Sequence, residues 1–115
     1  MIKRAGERAV RVKEAMFGAP GSAVFTDIAD ADQMMGRARL FSVGTLKPGC
    51  GVGYHVHHNE CEIYLILKGT AVFNDNGVET TVSAGDVTVT ADGQGHSIRN
   101  DGSEDVEFVA LIPLK

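Results

Sequence analysis

Turn signals recur about every ten residues along this chain and separate short runs rich in β-forming residues. Helices need longer stretches of 3.6-residue periodicity than such spacing leaves room for. The runs GSAVFTDI, RARLFSVGTL, VETTV, VTVT, HSIRN and DVEFVALI each read as a strand, and ECEIYLILKGTAVF as a long, apolar, β-rich stretch. Between them stand KPGCGVG, NDNG, SAGD, ADGQG and DGSE. Asn76-Gly77 within NDNG is a hairpin signal, because it suits a turn with both central residues at positive φ. In the last run Val106, Phe108, Ala110 and Ile112 share one face. ADADQMMG reads as a loop or a single helical turn. The composition of GERAVRVKEAMFG permits a helix, but Val10 and Val12 alternate with Arg11 and Lys13, which favours a strand. No repeat or linker interrupts the pattern. The expectation is one all-β sandwich or barrel domain over residues 1–115.

Charge narrows the partners. The net charge of −4 disfavours nucleic acid or an anionic membrane, since neither is drawn by the bulk field. The segment MIKRAGERAVRVK carries five basic residues in thirteen and reads as a charged, solvated edge, with an anion-binding arm as the alternative. No apolar stretch follows it as in a secretory signal, and no apolar run reaches membrane-spanning length, so a cytoplasmic location is expected. Cys50 and Cys61 are expected to be packed thiols rather than a disulfide.

The chemistry concentrates in GVGYHVHHNECEIYLILKG, residues 51–69. Three of the four histidines lie there within four residues, followed by two glutamates. Side chains on a strand alternate, so His55 and His57 share a side and His58 points away. Two imidazoles so placed stand roughly 6–7 Å apart at the backbone, and their rings can converge on one ion at about 2.0–2.1 Å. A nearby carboxylate would add a third ligand, and a fourth must come from elsewhere. His96, just after ADGQG, is the only remaining histidine and reaches the pair if the intervening hairpins fold back. Glu60 and Glu62 have the same parity, so alternation does not choose between them.

Two motifs then carry a resemblance. Gly49, CGVGY, His55-Val-His57, HNEC, Glu62, IYLILK and Gly69 follow one pattern over residues 49–69. Gly85, DVTVT, Ala91-Asp-Gly93, QG, His96, SIR and Asn100 follow a second over residues 85–100. In spacing and order the chain resembles a small cupin. Ala91 stands where that family usually has proline, which removes no ligand.

The resemblance implies a double-stranded β-helix, a jelly-roll-like antiparallel barrel, with one divalent transition metal per chain held by His55, His57, Glu62 and His96. Three imidazoles and a carboxylate suit Zn, Mn, Fe, Ni or Co. Six-coordination would leave two positions open. Tyr64 shares the parity of Glu62 and either lines the pocket or packs, and Asn100 is expected to be a structural hydrogen-bonder. No strong independent general base is evident; Tyr64 and Glu60 are the catalytic candidates. The reading is a metal-dependent enzyme, isomerase- or dioxygenase-like, acting on a small oxygen-bearing molecule. The alternative is a non-enzymatic small-molecule binding or sensor module. Ile63, Leu65 and Leu67 form a second apolar face that needs cover from the N-terminal strands, a second subunit, or both, and the resemblance to cupins, which are commonly dimers, implies a homodimer.

Overall fold

The computed structural model describes residues 1–115. It is all-β, a double-stranded β-helix of ten strands. These are β1 (Val10–Glu14), β2 (Ser22–Asp27), β3 (Ala38–Leu46), β4 (Gly51–Val56), β5 (Glu62–Lys68), β6 (Thr70–Asp75), β7 (Val78–Ser83), β8 (Val87–Thr90), β9 (Gly95–Arg99) and β10 (Val106–Pro113). One antiparallel sheet runs β1-β2-β3-β10-β5-β8, the other β4-β9-β6-β7. The segment read as a loop or helical turn, 29–36, contains a succession of turns over 31–36. No helix is long and apolar enough to cross a membrane.

The long apolar stretch after Glu60 is two strands, because Gly69 breaks it. Its φ of +82° is one that side-chain-bearing residues rarely adopt, and a Cβ there would lie 2.6 Å from the Asp105 carbonyl oxygen. The chain thereby leaves the six-stranded sheet at β5 and enters the four-stranded one at β6. Asn76 and Gly77, at φ 49° and 104°, close β6 onto β7 as the Asn-Gly signal requires.

The core lies between the sheets. The even-numbered residues of β10 alternate inward as expected, and Phe108 packs beside Tyr64 with ring centroids 4.5 Å apart. Leu46, Ile66, Phe73 and Ile98 are likewise buried. Each such side chain contributes about 1.5–3 kcal/mol by leaving water. Phe108 has room because Gly44 is its cross-strand partner; a Cβ at residue 44 would fall 2.5 Å from the ring.

The outer face of the six-stranded sheet is apolar and open. β1 and β2 extend the sheet beyond β3 rather than fold across its face. Leu65 and Leu67 on β5 keep 38% and 48% of their surface exposed, and Val87 and Val89 on β8 each keep 58%.

Candidate metal centre

A bulge aims the first histidine. β4 pairs with β9 at Gly51–Arg99 and Val52–Ile98, and the next pair is His55–His96. Gly53 and Tyr54 thus stand opposite the single residue Ser97. The extra residue lets Val52 and His55 both face inward, although strict alternation would oppose them. His57 lies just past the end of β4. The strand-like course continues, because the His57 N–H donates to Gln94 O at 3.0 Å and its carbonyl accepts from Gly93 N–H at 2.8 Å. Glu62 opens β5 opposite Thr90, and His96 lies on β9.

The ring nitrogens are sorted by their partners. His55 Nδ1 lies 2.8 Å from Gly53 O, and a carbonyl oxygen only accepts, so Nδ1 carries the proton. His57 Nδ1 donates to Glu60 Oε2 at 2.5 Å. His96 Nδ1 stands 2.7 Å from the Thr90 hydroxyl. The Nε2 atoms of all three rings face one point, where each presents a lone pair when the ring is neutral with its proton on Nδ1 and an N–H donor when the ring is charged.

They meet there at short range. His57 Nε2 and His96 Nε2 are 3.1 Å apart, and His96 Nε2 and His55 Nε2 3.2 Å. Glu62 Oε1 is 3.1 Å from His57 Nε2 and 2.9 Å from His96 Nε2. His57, Glu62 and His96 are buried. Lone pairs and a carboxylate crowded together repel unless positive charge sits among them.

Their titration follows from this. A hydrogen bond to Glu62 raises the His57 pKa, burial opposes it, and Glu60 adds to the rise. Burial penalises the charged form of Glu62, yet hydrogen bonds from His57 and His96 outweigh it and hold the carboxyl below its ordinary range. Burial lowers the His55 pKa, against the hydrogen bond to Gly53.

The donor set fits a metal ion. The four ligand atoms all lie within 4.8 Å of one another. At bonds of about 2.1 Å, ligands at right angles stand about 3.0 Å apart and tetrahedral ones about 3.4 Å. The four short separations, 2.9 to 3.2 Å, lie in the range that ligands of one ion span. The structure thus brings together His55, His57, Glu62 and His96, a group that could hold an ion. His58 is exposed and outside the cluster.

The two catalytic candidates differ in their surroundings. Glu60 is held on its other side by Arg39, whose Nε and Nη2 donate at 2.7 and 2.6 Å. Arg39, with burial opposing and His57 assisting, lowers the Glu60 pKa to about 2. Tyr64 is buried with its ring stacked on His96, centroids 5.1 Å apart. Burial and the neighbouring Glu62 charge raise its pKa well above the ordinary phenol value. Asn100 is buried, and its side-chain amide donates to Leu46 O and Glu104 O at 2.9 and 2.7 Å, a structural role.

The cluster opens on a cavity of about 240 Å³ whose lining includes Arg11, Lys13 and Arg39. In sequence the segment with Arg11 and Lys13 reads as a solvated edge in preference to an anion-binding arm, and Arg39 is not singled out. Alternation within VRVK puts Arg11 and Lys13 on one face, and that was the available signal. Arg39 carried none, because a bulge where β10 meets β3 turns it inward. Phe17 was missed as well. It belongs to a short 3-10 turn, Met16–Gly18, and lies flat on His55 with centroids 4.0 Å apart and planes 11° apart. Gly53 makes this possible: a Cβ there would lie 1.9 Å from the Phe17 carbonyl oxygen.

Comparison with known proteins agrees with this architecture. The family model described as the cupin domain matches residues 42–112. An oxalate-binding protein of Thermotoga maritima is 41% identical over 114 residues, covering 99% of this chain and 94% of that protein. A crystal structure of a predicted oxalate decarboxylase from Thermotoga maritima superposes with a TM-score of 0.94 at 41% identity, covering 100% of both chains. The cupin domain of an XRE family transcriptional regulator from Enterobacter cloacae superposes at 0.70 with 20% identity, covering 81% of this chain and 97% of that one. At that identity the likeness speaks for the fold alone.

Proposed function

This chain belongs to the cupin family, and we propose that it holds one divalent transition metal ion through His55, His57, Glu62 and His96 and there binds a small dicarboxylate such as oxalate. The carrying observation is the placement of cations in the pocket. A chain of net charge −4 lines the cavity above its histidine cluster with Arg11, Lys13 and Arg39; the two arginines are paired with Asp27 and Glu60, and Lys13 is in no ion pair. Such a patch draws a small anion against the overall field. The 41% identity to an oxalate-binding protein supports the same ligand class.

The bound ion would supply a Lewis-acid centre with open positions for oxygen ligands. The chain's own groups then orient and screen the anion. Tyr64 keeps its proton through neutral pH and acts as a donor, not a base. Glu60 is a weak base at a pKa of about 2, and Arg39 and His57 already occupy it. Isomerase-like proton transfer would lack a free carboxylate base in this pocket, which favours binding over that reaction. Turnover of the same anion is the second reading, favoured by the protonated Tyr64 phenol in the pocket lining beside Glu62.

Calorimetric titration of metal-loaded and metal-stripped protein with oxalate tests the proposal. One-to-one binding by the loaded form alone, with no loss of oxalate over hours, is expected. Absence of binding to the loaded form sinks it. Release of formate or carbon dioxide would establish the second reading instead.

The open outer face of the six-stranded sheet supports a further element, a homodimer formed through that face. Register places Val87, Leu65, Val109 and Val43 side by side across four strands, and Val89, Ile63, Leu111 and Phe41 in the next row. A contiguous apolar face of this kind marks an interaction surface.

A further inference from the structure

The family match begins at residue 42, yet much of the pocket is built from residues before it, among them Arg11, Lys13, Phe17 and Arg39. The histidine cluster thus belongs to the shared domain, and most of the wall facing it does not. Lys13 and Arg11 reach that wall through register. Lys13 pairs with Ala23 and Arg11 with Phe25, and both partners are buried, so the two cations share the inward face of the hairpin β1–β2. Phe17 at the hairpin tip lies on His55, and its backbone fills the space left free by Gly53, which clamps the tip to β4.

The three cations are not equivalent. Arg11 donates to Asp27 Oδ1 at 2.5 Å, and the buried Ser42 hydroxyl donates to that same oxygen at 2.6 Å. Arg39 is matched by both oxygens of Glu60. Each arginine is therefore already neutralised. Lys13 forms no ion pair, and it is the one cation of the pocket whose charge is uncompensated.

We propose that Lys13 is the specificity determinant that selects a dianion over a monoanion. The inference rests on the metal-bound anion site proposed above. A divalent ion and Glu62 together leave one positive charge, which a monoanion would neutralise. Lys13 adds a second, so the pocket reaches neutrality only with a doubly charged ligand. Lys13 is solvated at the mouth of the pocket, so it acts as a point charge that favours the ligand with the additional negative charge, an effect that salt screens.

Oxalate and oxamate separate the effect cleanly, because oxamate replaces one carboxylate of oxalate by a neutral amide of similar shape. Both are titrated into manganese-loaded wild type, Lys13→Gln and Lys13→Arg. Wild type should prefer oxalate. Lys13→Gln should lower oxalate affinity about two- to fivefold at low salt while leaving oxamate nearly unchanged. Lys13→Arg should keep the preference. Lys13 is exposed on an edge strand, so all three proteins should show the same melting curve and metal content. Equal loss of both ligands in Lys13→Gln, or loss of neither, overturns the role of Lys13 while wild-type oxalate binding stands. Failure of the wild type to bind either ligand removes the underlying site and this inference with it.

Discussion

His57 and Glu60 are joined through Nδ1 and Oε2, 2.5 Å apart, and this bond turns Nε2 of the ring toward Glu62 and His96. Glu60 in turn is fixed by two hydrogen bonds from Arg39. A chain of orientation therefore runs from Arg39 through Glu60 to the cluster. Partners that hold a ligating imidazole typically matter about 10–100-fold in metal affinity. Glu60→Gln should weaken the metal within that range. Glu62→Gln should weaken it more, because it removes the only anionic donor of the cluster. His58→Ala should change nothing measurable, and His96→Ala should abolish stoichiometric binding. Competition against a chromophoric chelator reads all four. A larger loss in Glu60→Gln than in Glu62→Gln would reverse the assignment of the two carboxylates.

The pH dependence of metal affinity follows from the same contacts. A ligating histidine must give up its competing proton. His57 holds its proton more tightly than an ordinary histidine, because Glu62 and Glu60 both favour the charged ring. Its folded-state pKa is raised, so competition begins above the unperturbed value of about 6.5. His55 is shifted the other way by burial and competes less. Apparent affinity should thus decline as pH falls from above neutrality, earlier than three ordinary histidines would allow. In Glu60→Gln the onset should move to lower pH. An affinity flat down to pH 6 would contradict this assignment.

Much of the architecture was legible because it rests on local chemistry. The Asn76-Gly77 turn and the alternation of Val106, Phe108, Ala110 and Ile112 are visible within a few residues. His55 and His57 were legible as a pair from strand alternation, and the resemblance to the cupin motifs added Glu62 and His96 as ligands. Illegible were features made by two distant segments meeting. The bulge at Gly53-Tyr54 depends on how β4 registers with β9. The inward turn of Arg39 depends on a shift where β10 meets β3. The seat of Phe17 on His55 needs a backbone contact between residues 17 and 53. Gly53 looked like one turn glycine among many, and nothing in the sequence marked it as the floor of a loop.

That contact yields a test of its own. The atom a Cβ at residue 53 would strike is the carbonyl oxygen of Phe17, a backbone atom that cannot swing away as a side chain end can. Gly53→Ala should therefore displace the Met16–Gly18 turn or shift β4. Overpacking of this kind costs about 1–3 kcal/mol. A lowered melting temperature and weaker anion binding are expected. Phe17→Ala leaves the backbone in place and should spare stability more than Gly53→Ala. Equal melting temperatures for wild type and Gly53→Ala would mean that the turn does not rest on β4 in solution.

The outer sheet face allows the proposed dimer to be tested independently of the metal. Leu65 and Val87 are cross-strand partners at the exposed end of that face, and both point away from the core. A two-fold dimer buries the same patch on each subunit, so one substitution acts twice. Leu65→Glu should place two like charges in the interface without touching the cluster, which takes only Glu62 from this sheet and has that side chain on the opposite, buried face. Light scattering at micromolar concentration should give twice the 12.2 kDa chain mass for the wild type and a single chain mass for Leu65→Glu. Metal content per chain should be equal in the two proteins. A wild type that scatters as a 12.2 kDa monomer would dismiss the dimer and leave the apolar face without a partner in its own kind.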